Sequence, residues 1–451
     1  MESILPALSA VDSVLWGPPL IILLVGTGIF LTIRLKLLQV LRLPLALRLI
    51  FKAKNQGKGD VSSFKALCVA LAATVGTGNI VGVATAVKVG GPGAIFWMWI
   101  AAFFGMATKY AEGLLAVKYR SVDANGEIAG GPMFYIRNGL GEKWKPLAVF
   151  FAIACILVAF LGIGTFPQVN AIVDSMAITF AFPRVATDVI LTVFIAAVTI
   201  GGLQSISKVA SKLIPFMALF YIAISLGLIV LFIDRLPSAI TLILDGAFTG
   251  TAAAGGFAGS TIMIAMQNGI ARGVFSNESG LGSAPIAAAA AKTKWPAEQG
   301  LISMTGTFID TIIICTLTGL SILITGQWSV KGLEGATVTQ SAFSSVFGHI
   351  GSLVLTLSLA LFAFTTVLGW SYYGERCVEF VFGTKAITIY RSIFVLMVAL
   401  GGYLQLQVIW KIADIVNGLM ALPNLIALLV LSPVIIKETK SYFKRMADKK
   451  D

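Results

Sequence analysis

Long apolar runs separated by short polar segments dominate the chain. Many runs are roughly 18 to 25 residues long, the length that a helix needs to cross about 30 Å of hydrocarbon. The pattern predicts an all-α integral membrane protein with about eleven transmembrane helices. The predicted spans are 18–36, 64–88, 93–118, 147–176, 186–203, 209–233, 255–290, 299–325, 350–373, 387–406 and 412–436.

Composition and charge support a membrane location. Hydrophobic residues make up 57% of the 451 residues and charged residues 12%, which soluble domains do not normally show. The net charge is +12, with Lys and Arg concentrated in alternate loops and in the tail. Because basic loops stay in the cytoplasm, we expect an external amino terminus and a cytoplasmic carboxyl terminus. No nucleic-acid partner is expected, because the basic residues form no single patch with stacking aromatic residues.

We expect one polytopic transport domain over residues 1–451. An extra amino-terminal span and an interfacial helix occupy 18–60, a first repeat 61–235, a second repeat 250–436, and a basic cytoplasmic tail 437–451. The second and seventh spans interrupt their apolar runs with glycine and polar residues, and they lie five spans apart. Interrupted helices at matching positions of two halves indicate an inverted-repeat transporter whose site lies between the repeats.

The interruption in the second span reads AATVGTGNIVG, from Ala72 to Gly82. A helix opened in lipid exposes N–H and C=O groups that need polar partners. Free amides suit a carboxylate, and free carbonyls suit a small cation or an ammonium group. Thr77 and Asn79 add polar atoms without charge, which indicates a small zwitterionic ligand. Close helix packing through small residues is the alternative explanation.

Other polar and aromatic residues within the spans are candidate site residues. The seventh span holds Arg272 and Glu278, which are either functional charges or a mutual pair that acts as a latch. Thr365 and Thr366 in the ninth span either complete an all-oxygen cation site or bond to their own backbone. Three aromatic residues, either pocket walls or ordinary core, are Phe166, Phe275 and Trp370.

Single carboxylates in or near spans are candidates for proton transfer, although such groups are commonly paired or solvated. They are Glu112, Asp310, Glu375 and Asp414. The chain has no HExxH, nucleophile-elbow or CxxC motif, so an enzyme is not expected.

Several blocks resemble the alanine or glycine:cation symporter family. GGPGAIFWMWIAAFFG, from Gly90 to Gly105, resembles the signature of that family, and VGTGNIVG, GGPMFYI and RGVFSNESGLGSAPIA resemble its other recurrent blocks. The resemblance covers nearly the whole chain. It implies a prokaryotic cell-membrane protein with the LeuT-type fold, in which ten core helices form a five-plus-five inverted repeat and the first span is an addition.

The resemblance also implies residue roles. The backbone around Gly76, Thr77 and Gly78 would hold the substrate carboxylate, with Asn79 at the substrate or a neighbouring ion. The implied sodium ligands are Ala72, Val75, Phe362, Thr365 and Thr366. The rest of the implied substrate pocket consists of Phe166, Gln168, Gly269, Gly273, Phe275, Thr366 and Trp370. Arg272 has no counterpart in the better-known relatives.

The function implied is inward symport of alanine or glycine, with D-alanine as a further candidate, by alternating access. Sodium would be the coupling ion, and no other cofactor is expected. A proton-coupled symporter of the same fold is the first alternative and a channel the second. The preferred substrate, the stoichiometry and the oligomeric state stay open.

Overall fold

A computed structural model describes residues 5–54, 56–249, 262–403 and 406–448. The regular secondary structure of the described residues is helical except for one two-stranded hairpin, Ser121–Val122 paired antiparallel with Ile128–Ala129, and a single bridge between Val61 and Ala291. The helices of the first half are α1 Leu5–Leu15, α2 Pro18–Arg34, α3 Leu38–Leu41, α4 Leu43–Lys52, α5 Ser63–Thr74, α6 Val83–Gly90, α7 Ala94–Lys118, α8 Pro132–Tyr135, α9 Lys145–Leu161, α10 Phe166–Phe180, α11 Arg184–Thr199 and α12 Gly202–Leu231.

The second half continues the helical bundle. Its helices are α13 Leu236–Phe248, α14 Ile262–Asn277, α15 Ala284–Ala289, α16 Pro296–Thr307, α17 Thr316–Ile324, α18 Ala336–Phe382, α19 Ile387–Gly401, α20 Leu406–Val430 and α21 Ser432–Ala447. Wider π turns join some of them, at Gly78–Gly82, Ile136–Leu140 and Phe308–Cys315. Gly348 inside α18 has φ +60°, so α18 consists of two helices joined at a kink.

The all-helical membrane architecture predicted from the apolar runs is confirmed, but the count of about eleven crossings is not. Within the described residues, eight helices are long and apolar enough to cross a membrane, or nine with the bent pair Ser63–Thr74 and Gly78–Gly90. The predicted span 186–203 corresponds to α11, which has 16 residues. The first part of the predicted span 255–290, up to residue 261, lies outside the described residues.

The first predicted interruption is a real break between α5 and α6. The two parts of this span are bent by 50°, and Val75 leaves helical geometry with ψ 93°. Gly76 and Gly78 permit close approach of neighbouring helices here. A Cβ atom on Gly76 would lie 2.3 Å from Thr366 Oγ1, and one on Gly78 would lie 2.9 Å from Ser276 Cα.

The second predicted interruption separates α14 from α15. Gly280 and Gly282 adopt φ angles of +90° and +84°, and Glu278 adopts +56°. Glycine accepts such angles readily, whereas a glutamate there is strained by roughly 1–3 kcal/mol and needs other contacts to hold it. Glu278 has those contacts, because Trp370 Nε1 donates to Oε1 at 2.9 Å and Ser283 Oγ donates to Oε2.

A third break, which the sequence did not predict, divides the predicted span 147–176. α9 ends at Leu161 and α10 begins at Phe166. Gly164 allows this loop to pack tightly, since a Cβ atom there would lie 2.9 Å from Trp370 Cβ. All three breaks are buried, so their free backbone groups face protein and not lipid.

The two ends of the chain identify the two faces of the bundle. α1 packs beside the start of α20, where Trp16 Nε1 donates to the Asp414 carbonyl oxygen at 2.8 Å. We call this side the N-terminal face. α20 is a candidate span that leads to α21, so α21 lies at the opposite side, which we call the C-terminal face. The hairpin is also at that face, because Lys118 at the end of α7 pairs with Glu438 of α21 at 2.7 Å.

Candidate functional site

The break between α5 and α6 meets two other helices through its backbone. The Gly76 amide donates to Asn79 Oδ1 at 2.9 Å, and the Thr77 amide donates to Gln168 Oε1 of α10 at 3.1 Å. The hydroxyl of Thr366, in α18, donates to the Val75 carbonyl at 3.4 Å. The opened backbone is therefore satisfied by polar side chains, as a buried break requires.

Three of the five predicted sodium ligands, Val75, Phe362 and Thr366, meet at the contact between this break and α18. Thr365 and Thr366 both donate to the Phe362 carbonyl at 3.0 Å, and Thr366 also reaches the Val75 carbonyl. Ala72 lies one helical turn before Val75 and is fully buried. Carbonyl and hydroxyl oxygens are ligands that hard cations prefer. The Phe362 carbonyl belongs to the same helix as both threonines, which is the alternative that the sequence left open. Thr365 also bonds to the Leu361 carbonyl of that helix at 3.1 Å and contacts Met217 Sδ of α12 at 3.7 Å.

Asn79 links the break to a buried carboxylate. Its Nδ2 donates to Asp310 Oδ1 at 2.7 Å while its Oδ1 holds the Gly76 amide. Ser276 Oγ donates to Asp310 Oδ2 at 2.9 Å, and Thr311 Oγ1 does so at 2.7 Å. The sequence marked Asp310 only as a proton-transfer candidate and gave Ser276 no role. Their proximity to Asn79 depends on the π turn Phe308–Cys315, for which the apolar run gave no signal.

The side chain of Thr77 is a further buried polar group in the first break. Its Oγ1 is buried and has no hydrogen-bond partner among the residues that the structure describes. Buried hydroxyl groups are normally paired, and an unpaired one needs an explanation. A ligand in the break would supply that partner.

The predicted aromatic walls have different surroundings. Trp370 lies against the third break and is held by Glu278 at 2.9 Å. The Phe275 ring packs on Trp410 with ring centroids 5.2 Å apart. Phe166 is buried near Gly401 of α19, where its Cδ1 would lie 3.4 Å from a Cβ atom on that glycine. Trp370 and Phe166 both lie at the third break, since Phe166 is the first residue of α10.

Gly269 and Gly273 lie on the side of α14 that faces α7. A Cβ atom on Gly269 would lie 2.3 Å from the Ala94 carbonyl oxygen, and one on Gly273 would lie 3.3 Å from Met98 Cα. Helix packing thus accounts for the absence of a side chain at both positions. Their predicted role in binding substrate stays a prediction, and the structure does not bring them to the first break.

Arg272 and Glu278 do not form the mutual pair that the sequence offered as an alternative. The Arg272 guanidinium makes a bidentate pair with Asp414 of α20 at 3.0 and 2.7 Å. It also lies over the Phe275 and Trp410 rings, 5.4 and 5.6 Å from their centroids. Glu278 follows the end of α14 in a left-handed conformation and bonds instead to Trp370 and Ser283.

A cavity of about 760 Å³ opens beside this ion pair at the N-terminal face. Its lining includes Val81 of the first break, Asn170 of α10, Arg272, Asp414 and residues of α1.

Across the bundle, at the C-terminal face, Arg376 forms a cluster of ion pairs. Its guanidinium lies within 3.2 Å of four carboxylates, those of Asp123, Glu127, Glu375 and Glu379. The cavity thus reaches the first break from the N-terminal face, and ion pairs link the hairpin loop to α18 at the C-terminal face.

We expect Gly76→Ala to abolish transport while the protein still folds. The added methyl group would lie 2.3 Å from Thr366 Oγ1 and 3.1 Å from Gln168 Oε1, so it would displace the groups that define the site. Gly82→Ala is the matched control, because a Cβ atom at Gly82 has no neighbour within 4 Å. Uptake by the two purified variants, compared at equal amounts of folded protein, tests this. Equal uptake by both variants would contradict the close contact at Gly76.

The fold and the site together define a membrane transporter of the LeuT type. MhsT, crystallised with L-phenylalanine, superimposes on the chain with a TM-score of 0.55 at 13% identity, covering 85% of this chain and 98% of MhsT. The chain belongs to the sodium:alanine symporter family, whose model matches residues 1–451. It is therefore a transporter and not an enzyme.

The similarity to known transporters covers nearly the whole chain. An uncharacterised transporter of Haemophilus influenzae is 58% identical over 447 residues, which cover 99% of this chain and 97% of that protein. The sodium/alanine symporter AgcS of Methanococcus maripaludis is 51% identical over 442 residues, which cover 96% of each. These matches confirm the family predicted from the sequence blocks.

Proposed function

We propose that the protein carries alanine or glycine into a prokaryotic cell together with sodium, by alternating access. The observation that carries this proposal is the break at Val75–Asn79, where the Gly76 and Thr77 amides bond to side chains instead of to helical carbonyls and the Val75 carbonyl accepts from the hydroxyl of Thr366. Free amides suit the carboxylate of an amino acid, and the Val75 and Phe362 carbonyls with the threonine hydroxyls suit sodium. The family and the name of AgcS support sodium and alanine as the transported pair.

The pocket in this proposal consists of the first break, Gln168, Thr366 and Trp370. Trp370 is fully buried and fixed by its bond to Glu278, so it leaves little room for a long side chain. That geometry favours glycine and both enantiomers of alanine over larger amino acids. The N-terminal face, with its cavity of about 760 Å³, would be the external side, and the basic α21 would lie in the cytoplasm.

Sodium supplies enough free energy for accumulation. One sodium ion that enters down a tenfold gradient and a potential of 100 mV releases about 1.4 plus 2.3 kcal/mol. That sum supports a several-hundred-fold accumulation of a zwitterion. If sodium binds beside the carboxylate, each ligand raises the affinity of the other by the same factor.

The decisive experiment is uptake of radiolabelled alanine by proteoliposomes, with and without an inward sodium gradient, competed by glycine and D-alanine. We expect sodium-dependent accumulation, which Thr365→Ala/Thr366→Ala should reduce about tenfold or more because two hydroxyl ligands are lost. Thr199→Ala is the control, since its buried hydroxyl also bonds to its own helix, at 2.8 Å to the Ile195 carbonyl. Unchanged sodium dependence in the double variant would place the cation elsewhere.

Proton coupling is the second candidate, and buried carboxylates favour it. Glu112 and Glu278 are fully buried, and Glu112 Oε2 has no hydrogen-bond partner among the residues described. Lys109, also buried, donates to the Asn277 carbonyl at 2.9 Å. Uptake driven by a pH gradient in the absence of sodium would favour this candidate over sodium coupling.

A further inference from the structure

A second cavity, of about 440 Å³, lies beside the hairpin at the C-terminal face. Its walls come from three segments outside the breaks, namely the segment before α5, the hairpin, and the segment between α15 and α16. Small-molecule sites commonly enclose about 300–1,000 Å³, so this cavity has room for a small ligand. Three of its lining residues are basic, Lys58, Arg120 and Lys294.

Backbone contacts bring two of these basic residues together. Gly57, directly before Lys58, has φ +114°, and a Cβ atom there would lie 3.0 Å from Lys294 Cγ. Glycine allows both the positive φ angle and this close approach. Three residues after Lys58, Val61 forms a parallel bridge with Ala291. The pairing of the two segments therefore fixes the backbone of both lysines at one cavity.

Arg120 holds the same two segments from the side of the hairpin. Its Nη1 donates to the Ala289 and Ala291 carbonyls at 2.7 and 2.8 Å. Its Nη2 donates to the Lys58 and Thr293 carbonyls at 2.7 and 3.0 Å. The guanidinium stays charged in proteins, and carbonyl oxygens carry no net charge that would cancel it. Arg120 thus fixes the shape of the cavity and adds positive charge to its wall.

Little negative charge balances this cavity. Among the residues that the structure describes, none of the three basic side chains forms an ion pair with a carboxylate. Asp60, two residues after Lys58, has one carboxylate oxygen bonded to the Ile128 amide at 2.8 Å, and its single charge offsets only part of the three positive ones. Lys58 and Lys294 are exposed, so their ammonium groups are accessible to a ligand.

We propose that this cavity binds a phosphate group through the Lys58 and Lys294 ammonium groups beside Arg120. The phosphate belongs to a soluble phosphate ester or to the headgroup of an anionic phospholipid, since both present the same chemistry. A phosphate group offers more acceptor oxygens than a carboxylate, and lysine binds phosphate as a point charge. Ser121 Oγ, which lines the cavity and accepts from Asn138 at 3.2 Å, has a hydrogen to donate to such a ligand.

A ligand held by both lysines joins the segment before α5 to the segment after α15. It therefore stabilises the arrangement in which these two segments are paired through Val61 and Ala291. The site is separate from the breaks, so the inference goes beyond the proposed function and does not depend on the transported substrate.

The test is the rate at which each lysine is acetylated, measured by mass spectrometry on the protein in phosphatidylcholine nanodiscs. The soluble probe is glycerol 3-phosphate, with sodium chloride at equal ionic strength as its control. At about ten times the dissociation constant, the probe should slow acetylation of Lys58 and Lys294 about tenfold, because a bound lysine does not react. Lys437 and Lys440, exposed on α21 at the same face, should react at an unchanged rate.

A second arm distinguishes the source of the phosphate. It uses nanodiscs with equal amounts of phosphatidylcholine and phosphatidylglycerol and no soluble probe. Protection of both lysines only in these nanodiscs assigns the cavity to a lipid headgroup, and protection by glycerol 3-phosphate alone assigns it to a soluble ester. Slowing of Lys437 and Lys440 to the same extent would be a general surface effect and would overturn the proposal.

Single variants test whether the two lysines hold one ligand. Lys58→Gln should raise about tenfold the concentration of the effective probe that half-protects Lys294, since a charge-assisted contact is lost. Lys437→Gln is the matched control, because it removes the same charge at the same face outside the cavity, and it should leave that concentration unchanged. Thermal melting in detergent shows that both variants fold. If neither probe protects Lys58 and Lys294, or if Lys58→Gln leaves protection of Lys294 unchanged, the inference is wrong while the proposed function stands.

Discussion

Asp310→Ala is expected to reduce sodium-driven amino-acid uptake by about 100-fold or more. The carboxylate accepts hydrogen bonds from Asn79 at 2.7 Å, Ser276 at 2.9 Å and Thr311 at 2.7 Å. Each donor left unpaired in a buried site raises the free energy by about 1–3 kcal/mol, and 1.4 kcal/mol is a factor of ten. Asn79 also accepts from the Gly76 amide. If Asn79 lost its fixed orientation, the backbone of the first break would lose that hydrogen bond as well.

Asp310→Asn gives a graded version of the same experiment. The amide keeps the shape but turns one acceptor into a donor, so at least one of the three donors loses its partner. We expect a loss of about tenfold for that variant. Asp245→Asn is the control, because Asp245 lies on the exposed side of α13. Normal uptake by folded Asp310→Ala would show that Asn79 is positioned without this carboxylate.

The first break could be predicted from the sequence because its signal is local. Three glycines, two threonines and an asparagine interrupt an apolar run within residues 72–82, and helix opening follows from those residues themselves. The convergence of Val75, Phe362 and Thr366 depended instead on the resemblance to a family, since these residues lie far apart in the chain. The contacts among them are a product of tertiary packing.

The third break had a weaker signal. The segment Gly162–Thr165 contains two glycines and one threonine, which in a membrane helix ordinarily permit close packing. Only the structure shows that the Ile163 carbonyl accepts a hydrogen bond from the Gln168 side chain. Two glycines inside a long apolar run are therefore compatible with either a break or close packing, and the sequence alone does not distinguish the two.

The partner of Arg272 could not be predicted for a geometric reason. The nearest carboxylate in sequence is Glu278, but the left-handed conformation at Glu278 turns the chain away from α14. Asp414, which is 142 residues from Arg272 in the chain, is brought beside it by the packing of α20. A charge within a span indicated that Arg272 has a partner or a function, and the structure shows a partner, but its identity as Asp414 depended on the fold.

Arg376→Met is expected to shift the protein strongly toward a state open at the C-terminal face and to reduce uptake by about 100-fold. Arg376 is buried and lies 3.1 Å from Asp123 and 2.7 Å from Glu127 of the hairpin loop, and it also pairs with Glu375 and Glu379 of α18. The cluster thus holds the hairpin that follows α7 against α18. Removing one partner from a buried ion pair costs about 3–5 kcal/mol, because the remaining charges lose their compensation.

The measurement is hydrogen exchange of residues 121–129 together with labelling of a cysteine introduced at Asp60, whose carboxylate accepts from the Ile128 amide at 2.8 Å. Both should increase in Arg376→Met. Arg272→Met is the mirror control, because Arg272 pairs with Asp414 at the N-terminal face. It should increase labelling of a cysteine at Asn170, in the cavity on that side, and leave the hairpin protected. Equal exchange of the hairpin in both variants would mean that Arg376 does not hold the C-terminal face closed.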